Sequence, residues 1–163
     1  MKTLLIVFHS LTGGTRQMSQ AAAEGASSEP EINVRLLHAS ECSANDVLAA
    51  HGYIFSTPEN LGSMSGMMKD FFDRTYYAVL DRAVGRPYAA LICAGSDGEN
   101  AARQIDRIIT GWHLKRVANP LIVCTFAQTP EEILRNKEIS ADDLNRCREL
   151  GATLAAVLAF GLF

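Results

Sequence analysis

Three hydroxyl side chains lie close together near the start of the chain, in the sequence S-L-T-G-G-T. Ser10, Thr12 and Thr15 supply the hydroxyls, two glycines between them let the backbone curl, and a helical pattern begins directly afterwards. Hydroxyls, free backbone N–H groups and a helix N-terminus together bind phosphate. The sequence therefore predicts a phosphate-binding loop here; the alternative is a polar turn that only caps the helix.

Two further loops are rich in small residues and follow apolar runs. One reads T-P-E-N-L-G-S-M-S-G from Thr57 and sets glycines and serines beside Leu61 and Met64. The other reads A-G-S-D-G-E-N from Ala94. Small residues let backbone amides approach a flat ligand, and apolar side chains give that ligand a nonpolar neighbour. Both loops are therefore candidates for a ligand site.

Five short apolar runs alternate with segments of helical periodicity. The runs cover residues 3–8, 32–37, 53–57, 88–94 and 121–127, and the helical segments cover 16–27, 44–50, 66–80, 99–110 and 141–159. Apolar runs of this length without strict alternation are typical of strands covered on both faces. The pattern predicts an α/β fold, a three-layer doubly wound sandwich around a five-stranded parallel sheet. We expect residues 1–163 to form a single domain.

The predicted architecture brings the three loops together. They follow the first, third and fourth strands, and ligands of open parallel sheets bind beyond the carboxyl ends of the strands, where the winding direction reverses. Serine N-caps with an acid three residues later mark two helix starts, at Ser43 and Ser140. We expect one ligand site at the edge of the sheet where the three loops meet.

Composition excludes several classes of partner. The formal net charge is −3 and no cluster of Lys and Arg is present, so we expect no nucleic-acid partner. Four scattered cysteines predict neither a zinc site nor a disulfide framework. The apolar runs at the two ends of the chain are too short to span a membrane, which favours a cytoplasmic protein. The apolar final segment predicts a core-facing helix, with subunit contact in a homo-oligomer as the second interpretation.

Missing residues exclude other phosphate-binding families. A P-loop needs a lysine after its glycines, and no lysine lies between Lys2 and Lys69. A dinucleotide site needs an acid at the end of the second strand, which here runs into His38. Ser10 and Arg16 have the spacing of a small tyrosine phosphatase, but a serine stands where the thiolate is required. The sequence G-S-M-S-G fails as an esterase elbow because its centre is methionine.

The three loops resemble those of flavodoxin-like proteins. S-x-T-G-x-T resembles the FMN phosphate loop of that superfamily, and A-G-S-D-G-E resembles its flavin-edge loop. The segment P-E-N-L-G-S-M-S-G-M-M-K-D-F-F-D resembles P-E-Y-N-G-S-I-P-G-x-L-K-N-x-I-D of NAD(P)H-dependent FMN reductases. The matching positions are Pro58, Glu59, Gly62, Ser63, Gly66, Lys69 and Asp73. The resemblance extends from the start of the chain to about residue 114.

The resemblance implies a sheet order of 2-1-3-4-5, FMN as cofactor and NAD(P)H as co-substrate. The residues that it assigns to FMN are Ser10, Leu11, Thr12, Gly13, Gly14, Thr15, Pro58, Glu59, Asn60, Leu61, Gly62, Ser63, Met64, Gly95, Ser96, Asp97 and Gly98. Arg16 either adds charge to the phosphate loop or points to solvent. The flavin itself carries the redox chemistry, so no catalytic residue is assigned, and we expect Glu59 and His9 to be polar rim residues.

The chain departs from the FMN reductase motif at one informative place. The motif has Tyr-Asn where this sequence has Asn60-Leu61, and no aromatic residue occurs at 57–68 or 95–100. Electron-carrier flavodoxins stack aromatic rings on the flavin, which disfavours its reduced form. The departure favours an oxidoreductase that reduces a quinone-like or other small-molecule acceptor. The alternatives are a flavodoxin-type electron carrier without turnover and a domain that only binds FMN.

Overall fold

The computed structural model describes residues 1–163. Its strands are β1 (Lys2–Phe8), β2 (Ile32–His38), β3 (Gly52–Asn60), β4 (Ser63–Met64), β5 (Pro87–Ala94), β6 (Lys115–Arg116) and β7 (Leu121–Cys124). Its helices are α1 (Gly14–Ala26), α2 (Ala44–Ala49), α3 (Gly66–Val79), α4 (Glu99–Gly111), α5 (Pro130–Leu134) and α6 (Ala141–Phe160).

The strands form one sheet in the order β2-β1-β3-β5, with β6 and then β7 beside the outer edge of β5. These strands all pair in parallel, and the five predicted strands correspond to β1, β2, β3, β5 and β7. The predicted parallel order is confirmed. Two short strands were not predicted: β6 is a two-residue edge segment, and β4 pairs antiparallel with the end of β3.

The sheet is covered on both faces, as the apolar strand runs predict. One face packs under α2, α3 and α4 around an aromatic cluster that includes Phe55, Phe72 and Trp112. The other face packs under α1 and α6 and consists mainly of small and aliphatic side chains. Every residue of β5 is buried, because the strand has a helical layer on each side.

Helices α1 and α6 cross at two glycines. A Cβ atom on Gly151 would overlap the carbonyl oxygen of Ala22, and a Cβ on Gly25 would overlap that of Arg148. Only glycine lets the two backbones approach this closely. The predicted N-caps are also present: the Ser43 and Ser140 hydroxyls accept the backbone N–H groups three residues on. None of the helices has the length and apolar character needed to cross a membrane.

The last strand is shorter than the apolar run that predicts it. The run covers residues 121–127, but β7 ends at Cys124. Phe126 has a φ of 59°, which turns the chain out of the sheet. Backbone hydrogen bonds from Thr125 to Ala94 and from Phe126 to Gly95 guide the turn across the end of β5. The chain therefore leaves the sheet at the edge where the three loops lie.

Candidate functional site

The three loops meet around one cavity of about 540 Å³ at the carboxyl ends of β1, β3 and β5. A cavity of this size falls in the range of small-molecule sites. Ten of the residues that the sequence assigns to a cofactor line it: Ser10, Leu11, Thr12, Thr15, Pro58, Glu59, Asn60, Leu61, Gly95 and Ser96. The other seven do not line it: Gly13, Gly14, Gly62, Ser63, Met64, Asp97 and Gly98.

The first loop presents unpaired backbone donors. Gly13 has a φ of 90°, and its N–H donates to the Ser10 hydroxyl oxygen over 3.1 Å. The backbone N–H groups of the other loop residues, Leu11, Thr12, Gly14 and Thr15, donate to no protein acceptor. These donors lie at the N-terminus of α1, where the helix dipole favours a negative charge. The loop therefore has the donor set of an anion site.

Arg16 does not contribute to the cavity. Its guanidinium carbon lies 5.2 Å from the centroid of the Phe8 ring, and the side chain is otherwise exposed. Stacking of a guanidinium on an aromatic face is favourable and fixes the side chain away from the loop. Of the two interpretations that the sequence left open, the structure favours the solvent-facing one.

The second loop is a β-hairpin rather than an irregular loop. Strand β3 continues to Asn60, and Leu61 and Gly62 form the turn that leads into β4. The φ angles of these two residues are 52° and 72°, the combination that a type I′ turn requires. Leu61 is fully exposed at the tip. The hairpin places Asn60 and Leu61 at the mouth of the cavity.

Helix α4 braces this hairpin from behind. The side-chain oxygen Oε1 of Gln104 accepts the Met64 N–H at 2.8 Å and the Ser63 hydroxyl at 2.9 Å. The Asn100 amide donates to the Gly62 carbonyl oxygen at 2.6 Å. Met64 is only 4% exposed and packs in the aromatic core. The assigned residues Ser63 and Met64 are thus engaged in holding the hairpin and do not face the cavity.

Glu59 carries a buried oxygen without a partner. Its Oε2 atom is shielded from solvent and makes no hydrogen bond, although the residue lines the cavity. Burial raises the pKa of this carboxyl, the Gly98 backbone N–H partly offsets the effect, and the charge of Asp97 raises it further. Buried polar atoms normally have a partner, so the free oxygen is an acceptor available to a ligand.

His9 lies away from the cavity lining. Its ring is 5.5 Å from that of His38, centroid to centroid, and its buried Nδ1 atom has no hydrogen-bond partner. Burial lowers the pKa of His9, and the neighbouring His38 lowers it further. His9 is therefore neutral at physiological pH and packs beside the second strand.

A wall of the cavity comes from residues that sequence reasoning missed. We call residues 125–139 the closing segment; it follows β7 and contains α5. The unassigned residues that line the cavity are Cys93, Ala94, Thr125, Ala127, Gln128, Ile133 and Lys137. The sequence T-P-E-E holds the signal for α5, since the Thr129 hydroxyl and the Glu132 carboxylate form a capping box. Nothing local in the sequence indicates that this segment packs against the first loop.

Three hydrogen bonds fix the closing segment to the first loop and α1. The Lys137 backbone N–H donates to the Thr12 carbonyl oxygen at 2.8 Å. The Gln17 side chain donates to the Lys137 carbonyl oxygen at 2.7 Å and accepts the Ile139 N–H at 3.1 Å. The Gln17 amide also donates to the Gly13 carbonyl oxygen. One side chain therefore joins two walls of the cavity.

Cys93 is a structural thiol. Burial raises its pKa to about 11, although the Thr15 hydroxyl and the Lys137 charge act in the opposite direction. A thiol with such a pKa stays protonated near pH 7 and is a poor nucleophile. Its sulfur also lies where a Cβ on Gly14 would meet it at 2.7 Å, so glycine is required at that position.

Comparisons with known proteins agree with this fold. The sequence profile of the NADPH-dependent FMN reductase family matches residues 41–128. A flavodoxin from Aquifex aeolicus is 41% identical over 163 residues, covering 98% of this chain and 88% of the relative. An NAD(P)H dehydrogenase (quinone) from Acidithiobacillus ferrooxidans is 35% identical over 95 residues, covering 46% of this chain and 48% of its own length.

Solved structures give the same architecture. An archaeal flavodoxin superimposes with a TM-score of 0.80 at 20% identity, covering 96% of this chain and 99% of its own. A WrbA-like flavodoxin from Agrobacterium tumefaciens superimposes with a TM-score of 0.73 at 19% identity, covering 98% of this chain and 99% of its own. At these identities the superpositions establish the flavodoxin-like fold alone.

Proposed function

The chain belongs to the NADPH-dependent FMN reductase family, and from this membership we propose that it is an FMN-binding oxidoreductase. In the proposed reaction NAD(P)H is the hydride donor and a quinone-like or other small molecule is the acceptor. FMN supplies the redox chemistry, because its ring can take up a hydride and pass electrons on. The protein's part is to bind the cofactor, orient it and leave one face accessible.

The first loop fits the phosphate end of FMN. Its unpaired N–H groups at the start of α1, together with the hydroxyls of Thr12 and Thr15, supply donors to phosphate oxygens. Thr15 is 1% exposed and lines the cavity. The loop donors have no competing protein acceptor, so binding a phosphate would satisfy groups that the fold itself leaves unpaired.

The remaining walls fit a flat ring. Asn60 and Leu61 line the cavity from the hairpin, and Ala127 and Ile133 line it from the closing segment. The free Glu59 oxygen is available to a ring N–H group, which would be a reason for its lack of a protein partner. Apolar walls with a few convergent polar groups are typical of cofactor sites.

The observation that carries the proposal is the absence of aromatic rings around the cavity. None of the residues that line it is Phe, Tyr or Trp, and the mouth is flanked by the exposed Leu61. An aromatic ring stacked on a flavin disfavours its reduced form and occupies a face that a substrate needs. A cavity without such rings suits turnover with NAD(P)H and a small acceptor.

The test begins with binding and continues with turnover. The purified protein is titrated with FMN and followed by its visible spectrum, and then NADH or NADPH oxidation is measured with benzoquinone as acceptor. Thr12→Glu sets a carboxylate against the phosphate and should weaken FMN binding about tenfold or more. Gln20→Glu adds the same charge on the exposed face of α1 and should leave binding unchanged. No FMN binding by the wild type would overturn the proposal.

The second candidate is a flavodoxin-type electron carrier. The observation that favours it is the 41% identity to the Aquifex aeolicus flavodoxin over 98% of this chain. A carrier would bind FMN, fail to oxidise either nicotinamide cofactor, and accumulate a one-electron reduced state during anaerobic photoreduction. Oxidation of NADH or NADPH at many turnovers per protein molecule would exclude this candidate.

A further inference from the structure

Only two charged side chains line the cavity, Glu59 and Lys137. Arg16 is stacked on Phe8 and lies outside it. The first loop offers hydroxyls and N–H groups but no cation of its own. Lys137 is therefore the one cationic side chain that borders a cavity with the donor set of an anion site.

The backbone of Lys137 is fixed directly against the first loop. Its N–H donates to the Thr12 carbonyl oxygen at 2.8 Å, and its carbonyl oxygen accepts the Gln17 amide at 2.7 Å. A Cβ on Gly14 would lie 3.4 Å from the Lys137 Cβ. The lysine stem thus starts beside the residues that carry the unpaired donors.

The ammonium group of Lys137 has no carboxylate partner. Nζ donates to the carbonyl oxygens of Glu132 and Ile133 at 2.8 Å each and of Arg135 at 2.5 Å. These acceptors are neutral, and no carboxylate lies within salt-bridge distance of Nζ. Three carbonyls hold the cation in place without neutralising it. Its charge extends to the cavity wall, since it lowers the pKa of Cys93 against the larger effect of burial.

We propose that Lys137 supplies the positive charge that the first loop lacks, and that it makes the site prefer FMN over riboflavin. The inference rests on the proposed binding of FMN. The two flavins share the same ring, but only FMN carries a phosphate. A cation that has no carboxylate partner and borders the anion site attracts the phosphate, and it has no comparable effect on the neutral ligand.

The experiment compares the affinities of the full chain for FMN and riboflavin, measured by fluorescence titration at low and high salt. Lys137→Gln removes the charge and keeps a hydrogen-bond donor, whereas Lys137→Arg keeps the charge. Arg103→Gln serves as the control, because it removes one positive charge from an exposed position on α4 that does not line the cavity. Thermal unfolding of each variant verifies that it is folded.

We expect Lys137→Gln to weaken FMN binding roughly tenfold, leave riboflavin binding unchanged and reduce the salt dependence of FMN binding. Lys137→Arg should retain the preference, and Arg103→Gln should change the binding of neither flavin. If Lys137→Gln weakens the binding of both flavins equally, or of neither, the inference is overturned and the lysine only holds the closing segment in place. A wild type that binds neither flavin would instead overturn the proposed function.

Discussion

Leu61 has a strained backbone conformation. Its φ of 52° belongs to the left-handed region, where a Cβ atom crowds the following carbonyl oxygen. The side chain is fully exposed, so no buried contact offsets the strain. Strain of this kind is often found at functional positions. In the proposed enzyme, Leu61 would offer an apolar surface to an acceptor that enters the cavity mouth.

Leu61→Asn should stabilise the protein. Asn-Gly is the preferred pair in a type I′ turn, and the left-handed conformation costs leucine about 1 kcal/mol or more. We expect the free energy of unfolding to rise by about 1 kcal/mol in urea denaturation. Leu11→Asn is the matched control, since Leu11 is also exposed but has no positive φ. An equal gain in both variants would contradict the assignment of strain to Leu61.

Glu59 should make stability depend on pH. Burial raises its pKa in the folded protein above the ordinary 4.5. Protonation of Glu59 therefore stabilises the folded protein below pH 4.5, and this stabilisation is lost as the pH rises through the pKa of the folded state. Glu59→Gln mimics the protonated form. We expect the ligand-free variant to be more stable than the wild type at pH 7, with the difference vanishing at pH 4. Urea denaturation across this range provides the measurement; a difference independent of pH would contradict it.

At the scale of elements, the site depends on contacts between neighbours in the fold. The hairpin of β3 and β4 is too short to be stable alone, and α4 supplies the bonds that hold it. The closing segment is held in the same way by α1. The hairpin and the closing segment are thus each attached to a helix that belongs to the core.

Gln104→Ala tests the attachment of the hairpin. The change leaves the Met64 N–H and the Ser63 hydroxyl without their acceptor, and a buried unpaired donor costs about 1–3 kcal/mol. We expect a loss of stability in that range and a weaker affinity for FMN. Arg103→Ala changes an exposed neighbour on α4 whose side chain makes no hydrogen bond, and it should alter neither quantity. Equal behaviour of the two variants would show that Gln104 does not hold the hairpin.

The long elements could be predicted from sequence, and the short ones could not. Apolar runs and helical periodicity located the five long strands and five of the helices, because each buries a continuous face. Strand β4 consists of two residues and depends on Gln104, which lies forty positions further along the chain. The turn at Leu61 was missed as a hairpin because leucine is a rare residue at positive φ.

At the scale of the whole molecule, two differently built cores flank one sheet. The aromatic core holds α3 and α4 behind the hairpin, and the opposite core rests on the close crossing of α1 and α6. That crossing positions α1, whose first turn carries the unpaired donors and Gln17. Packing far from the cavity therefore determines the position of the first loop.

Gly151→Ala tests this crossing. Alanine is favoured over glycine in a helix by about 1 kcal/mol, but its Cβ would overlap the backbone of Ala22, which cannot move aside as a flexible side chain can. We expect the cost of the overlap to exceed the gain in helix propensity, with a net loss of about 1–3 kcal/mol in the free energy of unfolding. Gly66→Ala is the control, because open space surrounds that position at the start of α3. A stabilised Gly151→Ala variant would contradict the close crossing.

Ten of the seventeen residues that line the cavity could be predicted, because their loops follow strands whose order a parallel sheet fixes. Ser10, Thr12 and Gly95 lie where a doubly wound sheet must place them. Lys137 and Ile133 could not be foreseen, since their place depends on a chain turn at Phe126 and on pairing with Gln17. Contacts between distant segments leave no local pattern in the sequence.

The bonds between Gln17 and the closing segment also have a consequence for the order of events during synthesis. They join positions 120 and 122 residues apart. A growing chain folds from its N-terminus, so the loop that carries the unpaired donors emerges from the ribosome long before Lys137 does. Until then the cavity lacks its last wall and its cation. Capture of the cofactor should therefore be one of the final steps in the maturation of this protein, after translation has passed Ile139.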